Sequence, residues 1–338
     1  MRARLPRRLL KHLSASSGLA LLLALAAANW FVHEPRFWQQ AQAQKWPAPL
    51  AYWIPRLGNM TADTTDALGL TGHDVTAALM TPLPTNQLAC AGLPLRLPAS
   101  PAPDDILLLH RTGFVIGYSP SLRHPVWVAY KTHPARQTAP PARPSGFQPD
   151  PTAPNSPQSK EYAKSGYDRG HMAPNLAIAT RYGKAAQAQT FLTSNICPQR
   201  PSLNQGPWYD VEFRIAELWP DCTGDVWVIA GALSARGGKT TASGIDIPAA
   251  FYQIVVSQEK GRARAFAVYM PQNLRRRTPA RATLVSIDEL EALSGFDFLS
   301  GLPDACEQSL EAATPSRLWP AGPLGTFRLL REHFRSYD

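Results

Sequence analysis

The sequence predicts an α+β fold: a mostly antiparallel sheet with flanking helices. Two observations predict it. Short runs of β-branched, aromatic and aliphatic residues recur from about Asp105 onward, each broken by Gly or Pro. Helical periodicity is confined to a few separate stretches and does not alternate regularly with the strand runs, as a doubly wound parallel sheet would require. Proline, at 33 of 338 residues, is about twice as frequent as in an average protein, so extended connections are expected between elements.

The chain opens on Arg2, Arg4, Arg7, Arg8 and Lys11, which supply five of its net +9 charges. An apolar run from Gly18 to Val32 follows, and His33-Glu34-Pro35 ends it. A basic flank before such a run marks a targeting segment. Ala26-Ala27-Ala28 offers a cleavage site, but Trp30-Phe31-Val32 prolongs the run, and Trp30 and Trp38 suit a membrane interface. Residues 1–33 are therefore expected to form a basic segment plus a signal anchor, or a signal peptide if cleaved. The positive-inside rule then puts the rest outside the cytoplasm, membrane-anchored or, after cleavage, secreted. Residues 34–104 are Pro- and Ala-rich without a sustained period and are expected to form a stalk. The main domain is expected over 105–338.

Within that domain, Ile106–Leu109, Phe114–Tyr118 and Val126–Tyr130 are expected strands. Thr132–Pro157 is a proline-dense surface loop. Lys184–Leu192 is expected to be a helix. Leu203, Val211, Ile215 and Leu218 recur at helical spacing, which predicts a second helix over Leu203–Leu218 with Pro207 tolerated in its first turn. Val226–Ala232, Phe251–Ser257 and Ala263–Met270 are further strands. Ile287–Leu293 is a short helix, with Ser286 and Glu289 at capping-box positions. The four cysteines, Cys90, Cys197, Cys222 and Cys306, contain no CxxC pair, which argues against structural zinc. In an exported chain they would form two disulfides; buried free thiols are the other reading.

Two segments carry chemistry. In Asp168-Arg169-Gly170-His171, the imidazole can take a proton from water near neutral pH. Arg169 lies two residues from His171, so in a strand both share one face, and a guanidinium there suits a phosphate. An ion pair of Arg169 with Asp168 is the plainer alternative. In Leu203-Asn204-Gln205-Gly206-Pro207-Trp208 through Glu212, Asn204 offers a hard oxygen ligand. Mg²⁺ keeps most of its waters and often needs only one or two protein groups. A helix N-cap is the plainer role for Asn204, and a solvated helix carboxylate is the plainer role for Glu212. Together the segments point to metal-assisted cleavage of a phosphodiester. The modest positive charge is compatible with a polyanionic partner without demonstrating one.

These residues, with Ser194-Asn195-Ile196-Cys197-Pro198-Gln199 between the two segments, resemble the DNA/RNA non-specific endonuclease family. Trp127–Tyr130, the Arg143, Phe147 and Asp150 set, Val228–Gly231 and Ser286–Leu290 extend the similarity over roughly 105 to 304. The resemblance implies a ββα-metal (His-Me finger) active site and sugar-non-specific hydrolysis of DNA and RNA to 5′-phosphate products. It implies His171 as general base, Asn204 as Mg²⁺ ligand with Mn²⁺ a substitute, and Glu212 holding water at the metal. Arg169 and Arg143 would contact phosphates, and Asn195 would support the site. Two rival readings remain: a catalytically silent nucleic-acid-binding or envelope protein on the same fold, and a phosphodiesterase for small diesters.

Overall fold

The expected strand runs assemble into one sheet. The structure is a computed structural model that describes residues 93–97, 101–134, 140–235, 237–259 and 262–319, all within the compact unit His73–Ala321. Its strands are β1 (Leu95–Arg96), β2 (Leu107–Arg111), β3 (Phe114–Ser119), β4 (His124–Thr132), β5 (Asp168–His171), β6 (Ile196–Gln199), β7 (Val226–Leu233), β8 (Ala250–Glu259), β9 (Arg262–Pro271), β10 (Leu284–Val285) and β11 (Phe296–Asp297). Seven of them pair in the order β10-β9-β8-β7-β4-β3-β2, every neighbour antiparallel. Strands β5 and β6 form a separate antiparallel pair, as do β1 and β11.

Strand alternation explains how the sheet is buried on both faces. Along β7, Val226, Val228 and Ala230 face one hydrophobic cluster, and Trp227 and Ile229 face the other. The first cluster takes in helix α1 (Asn175–Thr190), helix α2 (Tyr209–Glu217) and helix α3 (Trp219–Thr223); the second takes in helix α4 (Ile287–Ser294) and helix α5 (Asp304–Glu311). The Ser286–Glu289 capping box forms as the sequence implies: Glu289 N donates to Ser286 Oγ at 3.1 Å, and Ser286 N donates to Glu289 Oε2 at 2.8 Å.

Three expectations change. The helix expected over Lys184–Leu192 forms only the second half of a longer one: Gly183 (φ 82°) kinks it, and its first half begins at Asn175, directly after Pro174. Its first half carries Ile178, Thr180 and Tyr182, whose side-chain stiffness obscures helix propensity. The helix expected from Leu203 starts instead as a turn at Pro201–Leu203, passes through a widened π-type turn at Asn204–Trp208 and becomes regular only in α2. The cysteine expectation also changes: Cys197, Cys222 and Cys306 are free thiols. Cys197 packs in the cluster on one face of the sheet and Cys306 in the cluster on the other, so they have no route to a bridge. Strand β1 lies upstream of the expected domain boundary at 105. Cys90, the Gly18–Val32 run and most of the stalk lie outside the described residues; among those described, no helix is long and apolar enough to cross a membrane.

Candidate active site

The site is built where β5 and β6 meet the helical segment that follows them. In β5, Arg169 and His171 share one face, because Phe147 touches both: its ring lies 5.2 Å from the His171 ring and 5.8 Å from the Arg169 guanidinium. Gly170 points the other way and lies against Gln199 of β6; a Cβ at Gly170 would sit 2.3 Å from Gln199 Oε1. The strand pair therefore packs tightly only with glycine at this position.

His171 is held by apolar rings. Phe191 meets it edge-on at 5.0 Å and Phe147 at a tilt. Its Nε2 is buried without a hydrogen-bond partner. Burial, with the charge of Arg143 adding to it, lowers its pKa to about 3, so the imidazole is neutral. Arg143 stacks over the Phe191 ring at 5.1 Å and is itself exposed. The loop carrying Arg143 and Phe147 is pinned at Gln148, which pairs with Leu192. It is pinned again at Asp150, which accepts hydrogen bonds from Arg111, Thr152 and Ser194. Burial alone would raise the Asp150 pKa, but those hydrogen bonds outweigh it and hold the carboxyl below its ordinary value.

Arg169 is not paired with Asp168. It donates to Ser159 O at 2.7 Å and stacks on Tyr162 and Phe147, while its Nε is buried without a partner. Asp168 Oδ2 instead accepts from Asn204 Nδ2 and from Gln205 Nε2, each at 2.9 Å. A carboxylate can only accept, so the nitrogen of the Asn204 amide must face it and the oxygen turns away. That oxygen is free to meet a hard cation, which is the donor the sequence anticipates. Asn204 has helical φ and ψ (−56°, −45°) and lies beyond the Pro201 start of the helix, so it is not an N-cap.

Glu212 accepts from Trp208 Nε1 at 2.9 Å, one helical turn away. Burial raises its pKa to about 8, the Trp208 hydrogen bond opposing this. A half-buried carboxyl that carries only one such bond fits a nearby cation, which would favour its charged form. Asn195 is fully buried, and its side chain is spent on structure. It accepts from Ala173 N at 2.8 Å and donates to Ala173 O and Thr190 O at 3.0 Å. It is a positioning residue that fixes the chain just after His171. The structure thus gathers His171, Arg169, Arg143 and Asn195 around one strand pair and ties Asn204 to that pair through Asp168.

Sequence reasoning missed two contributors. Asp168 sits inside the motif, where its adjacency suggests only a partner for Arg169. The loop Arg275-Arg276-Arg277, exposed and basic, packs its backbone onto the widened turn: a Cβ at Gly206 would lie 2.5 Å from Arg276 O. Three consecutive arginines were a visible signal, but nothing in the sequence placed them beside Asn204.

An antiparallel strand pair carrying the histidine, followed by a helical segment carrying the amide, defines the ββα class of nuclease site. Comparison with known proteins agrees. The chain belongs to the DNA/RNA non-specific endonuclease family, which it matches over residues 94–305. It is 30% identical over 227 residues to a nuclease of Nostoc sp., covering 64% of this chain and 81% of that one. It is 27% identical over 213 residues to human mitochondrial endonuclease G, covering 58% and 70% of the two chains. Human mitochondrial nuclease EXOG is 34% identical over 181 residues, and the match spans 46% of each chain, so the likeness to EXOG covers about half its length. A crystal structure of an EndoG/EndoGI complex shares the fold, with TM-score 0.51 and 23% identity over 58% of this chain and 86% of that one. The protein is a hydrolytic endonuclease of nucleic acids, of a metal-dependent family.

Proposed function

We propose that the protein hydrolyses phosphodiester bonds of DNA and RNA with little sequence specificity, using His171 as general base and Mg²⁺ held by Asn204. The observation that supports this best is the pair of groups tied together by β5: a neutral imidazole with an unpartnered ring nitrogen, and an amide oxygen turned away from Asp168. The imidazole accepts the proton of the attacking water. In the free protein Arg143 helps hold it neutral. A substrate phosphate would pair with Arg143 and bring its own negative charge, and both effects make His171 more basic as substrate arrives. Arg169 positions a phosphate oxygen, and Asn195 keeps the backbone after His171 in register. Asp168 orients Asn204, and Trp208 orients Glu212. When bound, a hard divalent cation supplies Lewis-acid stabilisation of phosphate charge and of the departing 3′-oxygen. Contacts made mainly to phosphates give low sequence selectivity.

The N-terminal basic and apolar segments support a membrane-anchored catalytic domain outside the cytoplasm, carried on the 34–104 stalk. A plasmid-nicking assay with and without EDTA tests the activity. His171→Ala is expected to lower the rate at least about a hundredfold, with folding retained because the ring is only half-buried and lies outside the main hydrophobic clusters. Near-wild-type turnover by the folded variant would sink the mechanism, and EDTA-resistant nicking would remove the metal from it.

A further inference from the structure

We propose that Asp288, Glu291 and Glu311 form a calcium-binding site on the far side of the sheet from His171, independent of the nuclease chemistry. Asp288 and Glu291 lie three residues apart on α4, so they share a face, and Glu311 ends α5. One carboxylate oxygen from each of the three lies within 4.8 Å of the other two. Calcium takes several carboxylate oxygens in an all-protein cage, whereas magnesium usually keeps most of its waters and uses only one or two carboxylates, so a set of three carboxylates fits calcium better.

Glu311 gives the independent sign of a missing partner. It is 6% exposed, and its Oε1 is buried with no hydrogen-bond partner. A carboxylate in that position needs a proton or a cation. Its surroundings favour a cation: Glu291, Glu307, Asp288 and Asp297 all add negative potential there. The C-terminal end of α5 adds the negative pole of its helix dipole. Among the described residues, no ion pair offsets any of these acids. The geometry is also held in place. Glu291 Oε1 accepts from Phe298 N at 2.8 Å, which fixes that carboxylate and leaves its other oxygen for a ligand.

The test is a CaCl₂ titration of the metal-free full chain, followed by calorimetry and by the thermal midpoint. With calcium at about a hundredfold its Kd, the wild-type midpoint is expected to rise by roughly 5–10 °C. Glu311→Gln is expected to abolish the rise and to keep a calcium-free midpoint at or above wild type, since a repelling charge is removed. Asp288→Asn, at an exposed position, is expected to weaken calcium binding at least tenfold without threatening the fold. Nicking at fixed Mg²⁺ is expected to be unchanged in both. Asn204→Ala is expected to keep the calcium response, which separates this site from the nuclease centre. No midpoint rise in wild type, an equal rise in Glu311→Gln and Asp288→Asn, or loss of the rise in Asn204→Ala would each overturn the proposal.

Discussion

The role of Asn204 turns on which of its amide atoms faces Asp168. Because Asp168 Oδ2 accepts from Nδ2 at 2.9 Å, Oδ1 is the atom left for a ligand. Asn204→Ala is therefore expected to weaken Mg²⁺ dependence and turnover together while the thermal midpoint stays near wild type. Asn204→Asp keeps an oxygen but sets a second charge beside Asp168, so some activity is expected only at raised Mg²⁺. A cap would behave oppositely, costing about 0.5–2 kcal/mol of stability and sparing turnover. Measuring midpoint and Mg²⁺ titration on one Asn204→Ala sample decides, and a lowered midpoint with unchanged Mg²⁺ dependence would refute the ligand role. His171 makes a second, pH-dependent prediction. Its folded pKa of about 3 lies below the ordinary 6.5, so between these values the unfolded chain binds a proton that the folded chain does not. The stability due to the neutral ring is complete above 6.5 and is lost as pH falls toward 3. His171→Gln has no such proton, so the stability of wild type relative to the variant should shrink in denaturant titrations from about pH 7 to about pH 4. A difference that stays flat over that range would show that burial does not hold the ring neutral.

At the scale of elements, the sheet was legible because its strands are apolar runs bounded by punctuation, and each central run lengthened by only a residue or two at its ends. The π-type turn at Asn204–Trp208 was not legible. It arises from tertiary packing: Gly206 adopts a non-helical φ and ψ (−123°, −118°) and lies against the Arg276 backbone. No local pattern announces that contact, and Pro207 alone was compatible with an ordinary first turn. Pairing of β5 with β6 was also hidden, since α1 separates them in the chain and β6 contains Pro198. Among site residues, the shared strand face of His171 and Arg169 could be read from their spacing. The Asp168 to Asn204 link could not, because its two ends are far apart in sequence. The widened turn carries its own prediction. Gly206→Ala places a methyl 2.5 Å from Arg276 O and 2.9 Å from its Cα, backbone atoms that cannot rotate away. Overpacking of this kind costs about 1–3 kcal/mol, so a thermal midpoint several degrees lower is expected, with nicking impaired because Asn204 shifts. A variant with the wild-type midpoint would mean that the turn relaxes freely.

For the whole molecule, the N-terminal charge pattern bears on where the folded domain works. The charge pattern is uneven: five of the net +9 charges sit in the first eleven residues, directly before the Gly18–Val32 run. Positive residues next to an apolar segment are retained on the cytoplasmic side, because moving them across the bilayer is costly. If that run is a signal anchor, a reporter fused after Asp338 should be active only when it functions outside the cytoplasm. The isolated protein should then still begin near Met1 and stay with the membrane fraction after a high-salt wash, because salt screens surface charge but does not extract an apolar segment. If the run is instead a cleaved signal, N-terminal sequencing should find a new start just after Ala28, and the protein should be released. The free thiols Cys197 and Cys306 do not oppose export, since both are buried in hydrophobic clusters away from oxidants. A reporter active in the cytoplasm would overturn both versions and would place the nuclease in the same compartment as the nucleic acids of its own cell.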